Sequence, residues 1–193
     1  HEPTVTTSHF APQVTAAPHL RVPVEEHDHA LGDSDAALTL VFYGDYQCPY
    51  CRTANATERA LREQFDPSEL RIVFRHYPIT QKHPFALPAA IVAEAAGMQG
   101  RFWDMHDTLF ANQDRLDEES LVTFARQAAL DLDRFRRDVT EPYCEQKVER
   151  DFRSGVESGV EGTPAFFVNG IRYEGDYSAD VMSAKLRAML EQG

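Results

Sequence analysis

Cysteine is scarce in this chain: Cys48, Cys51 and Cys144 are the only three in 193 residues. Three is too few to staple a fold of this length and leaves one over after any pairing, so cysteine here points to chemistry rather than to a disulfide scaffold. Basic residues are also short, with 19 Lys and Arg against 31 Asp and Glu and a formal net charge of −12. Such a field repels phosphate backbones and anionic lipid, which sets nucleic acid and membrane surfaces aside as partners. No run approaches the roughly 18 consecutive apolar residues of a transmembrane helix. Metal-ligand spacing is missing too, since there is no second CxxC and no HxxxH. The chain begins at His1 without an initiator Met, which fits a trimmed chain or a mature one whose leader was removed. Without a leader it leans cytoplasmic, and with one removed it is periplasmic or secreted.

What is present suits one domain carrying an insertion. Residues 1–27 hold Pro3, Pro12, Pro18 and Pro23 among Thr, Ala and His, with no sustained apolar period, and read as an extended arm. An ordered arm must bury something to offset its lost entropy, either on its own domain or on a second copy, and the latter gives a route to a homodimer. The five histidines of residues 1–30 (His1, His9, His19, His27, His29) are scattered without ligand spacing. Beyond it, 38–43 (LTLVFY) reads as a buried strand, 52–65 as a helix, and 70–74 as a second strand interrupted at His76-Tyr77-Pro78. Residues 84–158 read as helical throughout, in about five elements that include one capped by Asp117. Strands return at 165–168 and 171–173 around Asn169-Gly170, a hairpin signal, and a helix over about 178–191 closes the chain.

The strand at 38–43 feeds the first helix through Cys48-Pro49-Tyr50-Cys51. A thiolate attacks disulfides, and at a helix N-terminus free backbone N–H groups and the helix dipole stabilise it. Cys48 takes that place as the exposed, acidic thiol. Cys51 comes round on the first turn, where it can close an intramolecular disulfide and release a mixed one. Pro49 suits the first turn, which needs no N–H from it. A zinc site would need two further ligands that the spacing does not offer. Gly162-Thr163-Pro164 precedes the strand at 165–168; Pro164 is either edge-strand punctuation or the site of a cis bond that turns the Thr163 backbone toward the cysteines.

The ordered set VFYGDYQCPYC, FRHYPI, GRFWDMHDTLF and GVEGTPAFFVNG, with a closing helix, resembles the DsbA-type branch of the thioredoxin superfamily. Within that branch it is similar to bacterial thioredoxin-like domains that stand alone or are fused to sodium/proton antiporters. The resemblance covers about residues 28–190. It implies an α/β thioredoxin fold with an inserted all-helical domain, Cys48 as nucleophile, Cys51 as resolving thiol and a cis Pro164 beside them. It also implies a strand-addition site for extended substrate at the Thr163-Pro164 loop, no cofactor and no metal. Partners are then protein thiols or disulfides and a redox partner that recycles the disulfide. The chain departs from DsbA in carrying Tyr50 where that enzyme has His, which lowers the expected oxidising strength. Pro-Tyr between the cysteines is also similar to glutaredoxins, so a glutathione-dependent reductase is an alternative. A redox-sensing binding module without turnover is another.

Some residues carry two readings. Asp45, three before Cys48, either exchanges protons with Cys51 or bonds local backbone in the turn, and the turn role is the expectation. Phe102, Trp103, Met105 and His106 read as core at helical spacing. His76 and His83 read as structural, and Cys144 as outside the redox cycle.

Overall fold

The structure is a computed structural model describing residues 18–193. In chain order its elements are β1 (His29–Leu31), β2 (Leu38–Gly44), α1 (Pro49–Gln64), β3 (Leu70–His76), α2 (Ala86–Met98), α3 (Phe102–Ala111), α4 (Glu118–Gln127), α5 (Leu132–Thr140), α6 (Pro142–Glu157), β4 (Ala165–Val168), β5 (Ile171–Tyr173) and α7 (Ala179–Glu191). The strands form one sheet in the order β1-β3-β2-β4-β5. β2 and β3 run parallel through the α1 crossover, with Phe42 opposite Phe74, while β1, β4 and β5 join antiparallel.

Period-two alternation divides the central strands between two cores. Leu40, Phe42, Ile72, Phe74, Phe166 and Val168 face one side, where buried residues of α1, α2, α3 and α7 meet them. Val41, Tyr43, Val73, Ala165 and Phe167 face the other, against Leu20, Val24 and Phe152. Each such large apolar side chain contributes about 1.5–3 kcal/mol by leaving water. Between β3 and β4 lie α2 to α6, the helical insertion. Alanine-rich α2 is buried almost all round, with Ala89, Ala93, Ala95 and Ala96 wholly enclosed. Asp117 caps α4 by accepting from the Ser120 amide. The β4–β5 turn places Asn169 and Gly170 at φ +48° and +81°, the left-handed pair that a two-residue hairpin requires.

The chain's beginning is closer to the core than the sequence suggests. Residues 18–27 bend at 21–22, turn at 26–27 and lie against the sheet. His19 bridges Ile171, the Leu20 amide donates to the Gly170 carbonyl at 2.8 Å, and the Arg172 amide donates to Pro18 at 2.9 Å. Below them Arg75 is 2 % exposed. It donates to Asp28 at 2.9 and 2.8 Å, to the carbonyls of Val22 and Pro23 at 2.8 and 3.0 Å, and to the Tyr43 hydroxyl at 2.9 Å. Residues 22–28 are thus fastened to the sheet by a buried cation. His29–Leu31, unread as a strand, pairs with β3, and β3 continues to His76 where an interruption was expected. The rest of the arm, with His1 and His9, lies outside the described residues, and so does the route to a homodimer through it. No helix among the described residues is long and apolar enough to cross a membrane.

Candidate active site

The dithiol sits where β2 ends and α1 begins. Cys48 is the N-cap of α1 in extended conformation with no side-chain cap, and Pro49 opens the helix. The Cys48 amide donates to the Asp45 carbonyl at 3.1 Å, closing the preceding turn, and the Cys48 carbonyl accepts from Cys51 and Arg52 at 3.1 and 3.3 Å. Because α1 starts there, the Tyr50 and Cys51 N–H groups of its first turn face the Cys48 sulfur.

Both sulfurs are free thiols with opposite surroundings. The Cys51 thiol donates toward Cys48, and against an opposing cost of burial the Thr163 side chain and the backbone N–H groups of Cys51 and Tyr50 add to it, lowering the Cys48 thiol from 9.0 to about 6. Burial, the donated bond to Cys48 and the charge on Cys48 push Cys51 well above 9.0, opposed by Thr163 and the Asp45 N–H. One thiol ionises readily and its neighbour holds the proton. Cys48 was expected to be exposed, but only 4 % of it reaches solvent. The Thr163 loop lies over it, with the Cys48 sulfur donating to the Thr163 carbonyl at 3.7 Å in the thiol form.

The Thr163–Pro164 bond is cis. Among the described residues the Thr163 hydroxyl is buried without a hydrogen-bond partner. The Tyr50 side chain points outward, 68 % exposed, and only its backbone N–H serves Cys48. Asp45 is buried; it accepts from the Gln47 amide at 2.8 Å through Oδ1, and from the Ile79 amide at 2.9 Å and His83 Nδ1 at 2.8 Å through Oδ2. Of the remaining candidates, Phe102, Met105 and His106 are buried core, as their spacing suggests. Cys144 is buried and its thiol is pushed up to about 12, by burial first and then by Glu94 and Asp138, rather than by the acids beside it in sequence.

Two contacts had no signal in the sequence. Gln113, after α3, donates Nε2 to the carbonyls of Tyr46 and Cys48, both at 2.8 Å, tying the insertion to the dithiol turn. Gln47 accepts the Phe85 amide at 2.8 Å. A cavity of about 560 Å³ in the insertion, between α2, α4 and α5, meets the dithiol turn only through Phe85 and includes neither cysteine. Glu58, His106 and Asp107 gather closely enough to suggest metal ligands. Arg62 already bonds both acids, and His106 spends its nitrogens on Tyr46 and Glu58. The cluster is an internal ion network.

A family model described as thioredoxin matches residues 24–188. The chain is 44 % identical over 166 residues to the Na(+)/H(+) antiporter NhaA 1 of Salinispora arenicola and 43 % identical over 170 residues to the Na(+)/H(+) antiporter NhaA of Herminiimonas arsenicoxydans. These alignments take in 86 and 88 % of this chain but 25 and 27 % of those proteins, so the chain spans about a quarter of the length of the curated relatives it matches. Among solved structures it is similar to a thioredoxin-like oxidoreductase from Silicibacter pomeroyi, with TM-score 0.76, 27 % identity and 88 and 95 % of the two chains covered. The α-DsbA1 of Wolbachia pipientis has TM-score 0.78 at 19 % identity over 90 and 95 % of the chains, a likeness of fold.

Proposed function

The chain belongs to the thioredoxin family, and from that membership we propose that it is a thiol–disulfide oxidoreductase acting on protein substrates, with Cys48 as nucleophile and Cys51 as resolving thiol. The observation that carries this reading is the split between the two thiols, one lowered to about 6 and the other raised well above 9.0. Sequential exchange needs one sulfur charged and the next held in reserve, and turnover is what separates it from redox sensing by the same pair.

In the reductive direction the Cys48 thiolate attacks one sulfur of a substrate disulfide. That S–S bond breaks, a substrate thiolate leaves with the electron pair, and Cys48 is joined to substrate. Cys51 then loses its proton and attacks the Cys48 sulfur, releasing the second substrate thiolate and leaving a Cys48–Cys51 disulfide. Oxidation of a substrate dithiol runs through the same steps reversed. Thr163 carries the covering loop, and its backbone next to Pro164 is the place for an extended substrate segment to pair as an added strand. The test is trapping: Cys51→Ser should accumulate a mixed disulfide at Cys48 with a disulfide-bonded protein such as insulin, and the unaltered chain should turn insulin over. Absence of both would reject the proposal.

A further inference from the structure

The dithiol turn depends on one buried carboxylate. The Asp45 side chain is 0 % exposed and takes three donors: the amides of Gln47 and Ile79 and Nδ1 of His83. Its backbone serves both cysteines, since its carbonyl accepts the Cys48 amide at 3.1 Å and its N–H faces the Cys51 sulfur. Two of the three donors are main-chain groups fixed by the local path. His83 is the only side chain among them. It lies in the loop between β3 and α2 with its side chain 19 % exposed, and two residues later the Phe85 amide donates to Gln47 Oε1 at 2.8 Å. Loop 79–85 and turn 45–48 are therefore bonded at Ile79, His83 and Phe85.

The donors that lower Cys48 are different groups: the Cys51 thiol, Thr163 and the amides of Tyr50 and Cys51. Asp45 acts on Cys51. We infer that His83 is a positioning residue for the resolving step, holding Asp45 so that its backbone N–H faces the Cys51 sulfur as that sulfur gains charge. This rests on the proposed roles of Cys48 and Cys51. In the step concerned, the Cys51 sulfur attacks Cys48 and the Cys51 proton goes to the departing sulfur. The bond from Cys48 to the bound sulfur breaks, the Cys48–Cys51 bond forms, and the departing thiolate takes the electron pair.

Oxidised glutathione is a simple probe. Reduced protein is mixed with it and quenched in acid, and mass spectrometry follows the Cys48–glutathione adduct, whose build-up reports attack by Cys48 and whose decay reports attack by Cys51. His83→Leu should slow decay on the order of tenfold, the effect of about one hydrogen bond lost at the barrier, and leave build-up within about twofold. His83→Asn, which returns an N–H donor near the place of Nδ1, should recover most of the rate. Unchanged decay in the leucine variant, or decay and build-up falling together, would overturn the inference. Should the leucine variant not fold, Asp45→Asn reads the same step: slowed decay with normal build-up supports the inference, and normal decay overturns it. A wild-type protein that forms neither the adduct nor the Cys48–Cys51 disulfide defeats the oxidoreductase reading as well, whereas normal exchange with all variants alike defeats only the role of His83.

Discussion

At the scale of single residues, the environment of each sulfur decides its chemistry. A thiol at about 6 is about 90 % ionised at pH 7, against roughly 1 % for one at 9.0. Iodoacetamide should therefore label Cys48 of the reduced protein first, with a rate–pH midpoint near about pH 6. Thr163→Val removes the unpartnered hydroxyl and should move that midpoint upward, so an unchanged midpoint would show that Thr163 makes no difference to the thiolate. Cys144 is the counterexample. Its burial raises the thiol to about 12, and Cys144→Ala should keep full exchange activity with a small loss of stability.

At the scale of elements, the segment leading into β1 holds one face of the sheet closed. Arg75 on β3 reaches that segment through Asp28, whose side chain is 0 % exposed. Burial alone would raise the Asp28 carboxyl, but the bond and charge of Arg75 prevail and hold it below its ordinary value. Asp28→Ala leaves a buried guanidinium without its counter-charge, a change that typically costs about 3–5 kcal/mol. Denaturant melts should show that loss, while the alkylation rate of Cys48 in the folded fraction stays unchanged, because the pair lies on the far face from α1. By the same logic the Asp28 contribution is present above about pH 4 and is lost as pH falls through its lowered folded value. The β-rich runs and the helices were legible because each carries its own period or cap, as with Asp117 before α4. Residues 18–31 were not, because what orders them is a cation 47 residues away from Asp28 in sequence.

At the scale of the whole molecule, thiol ionisation, stability and redox poise are one linked quantity. The Cys48 thiol falls from 9.0 to about 6 on folding, so between those values the unfolded chain binds the proton more than the folded one. The resulting stability is full above about pH 9, declines as pH falls through that window and is gone below about pH 6; the disulfide form lacks it. Paired melts at about pH 5.5 and about pH 8.5 should find the reduced form gaining on the oxidised form at the higher pH, and equal differences at both would contradict the assignment. A thiol near 6 lies between about 7 in thioredoxin and about 3.5 in DsbA. The reduction potential is accordingly expected between about −270 and −120 mV, measured in glutathione buffers. The sequence by itself determined the strands and helices with a helical block among them, the dithiol at a helix N-terminus and the Thr163-Pro164 loop before a strand, because these are local patterns of spacing and period, and the thioredoxin class followed from the resemblance those motifs carry. Only the tertiary structure decided which groups surround the dithiol turn. Gln113, His83 and the Thr163 hydroxyl come from three separate segments, and no local rule relates them; the fold brings them to one place, and the hydrogen bonds donated to Cys48 there, against the cost of burial, fix which thiol carries charge.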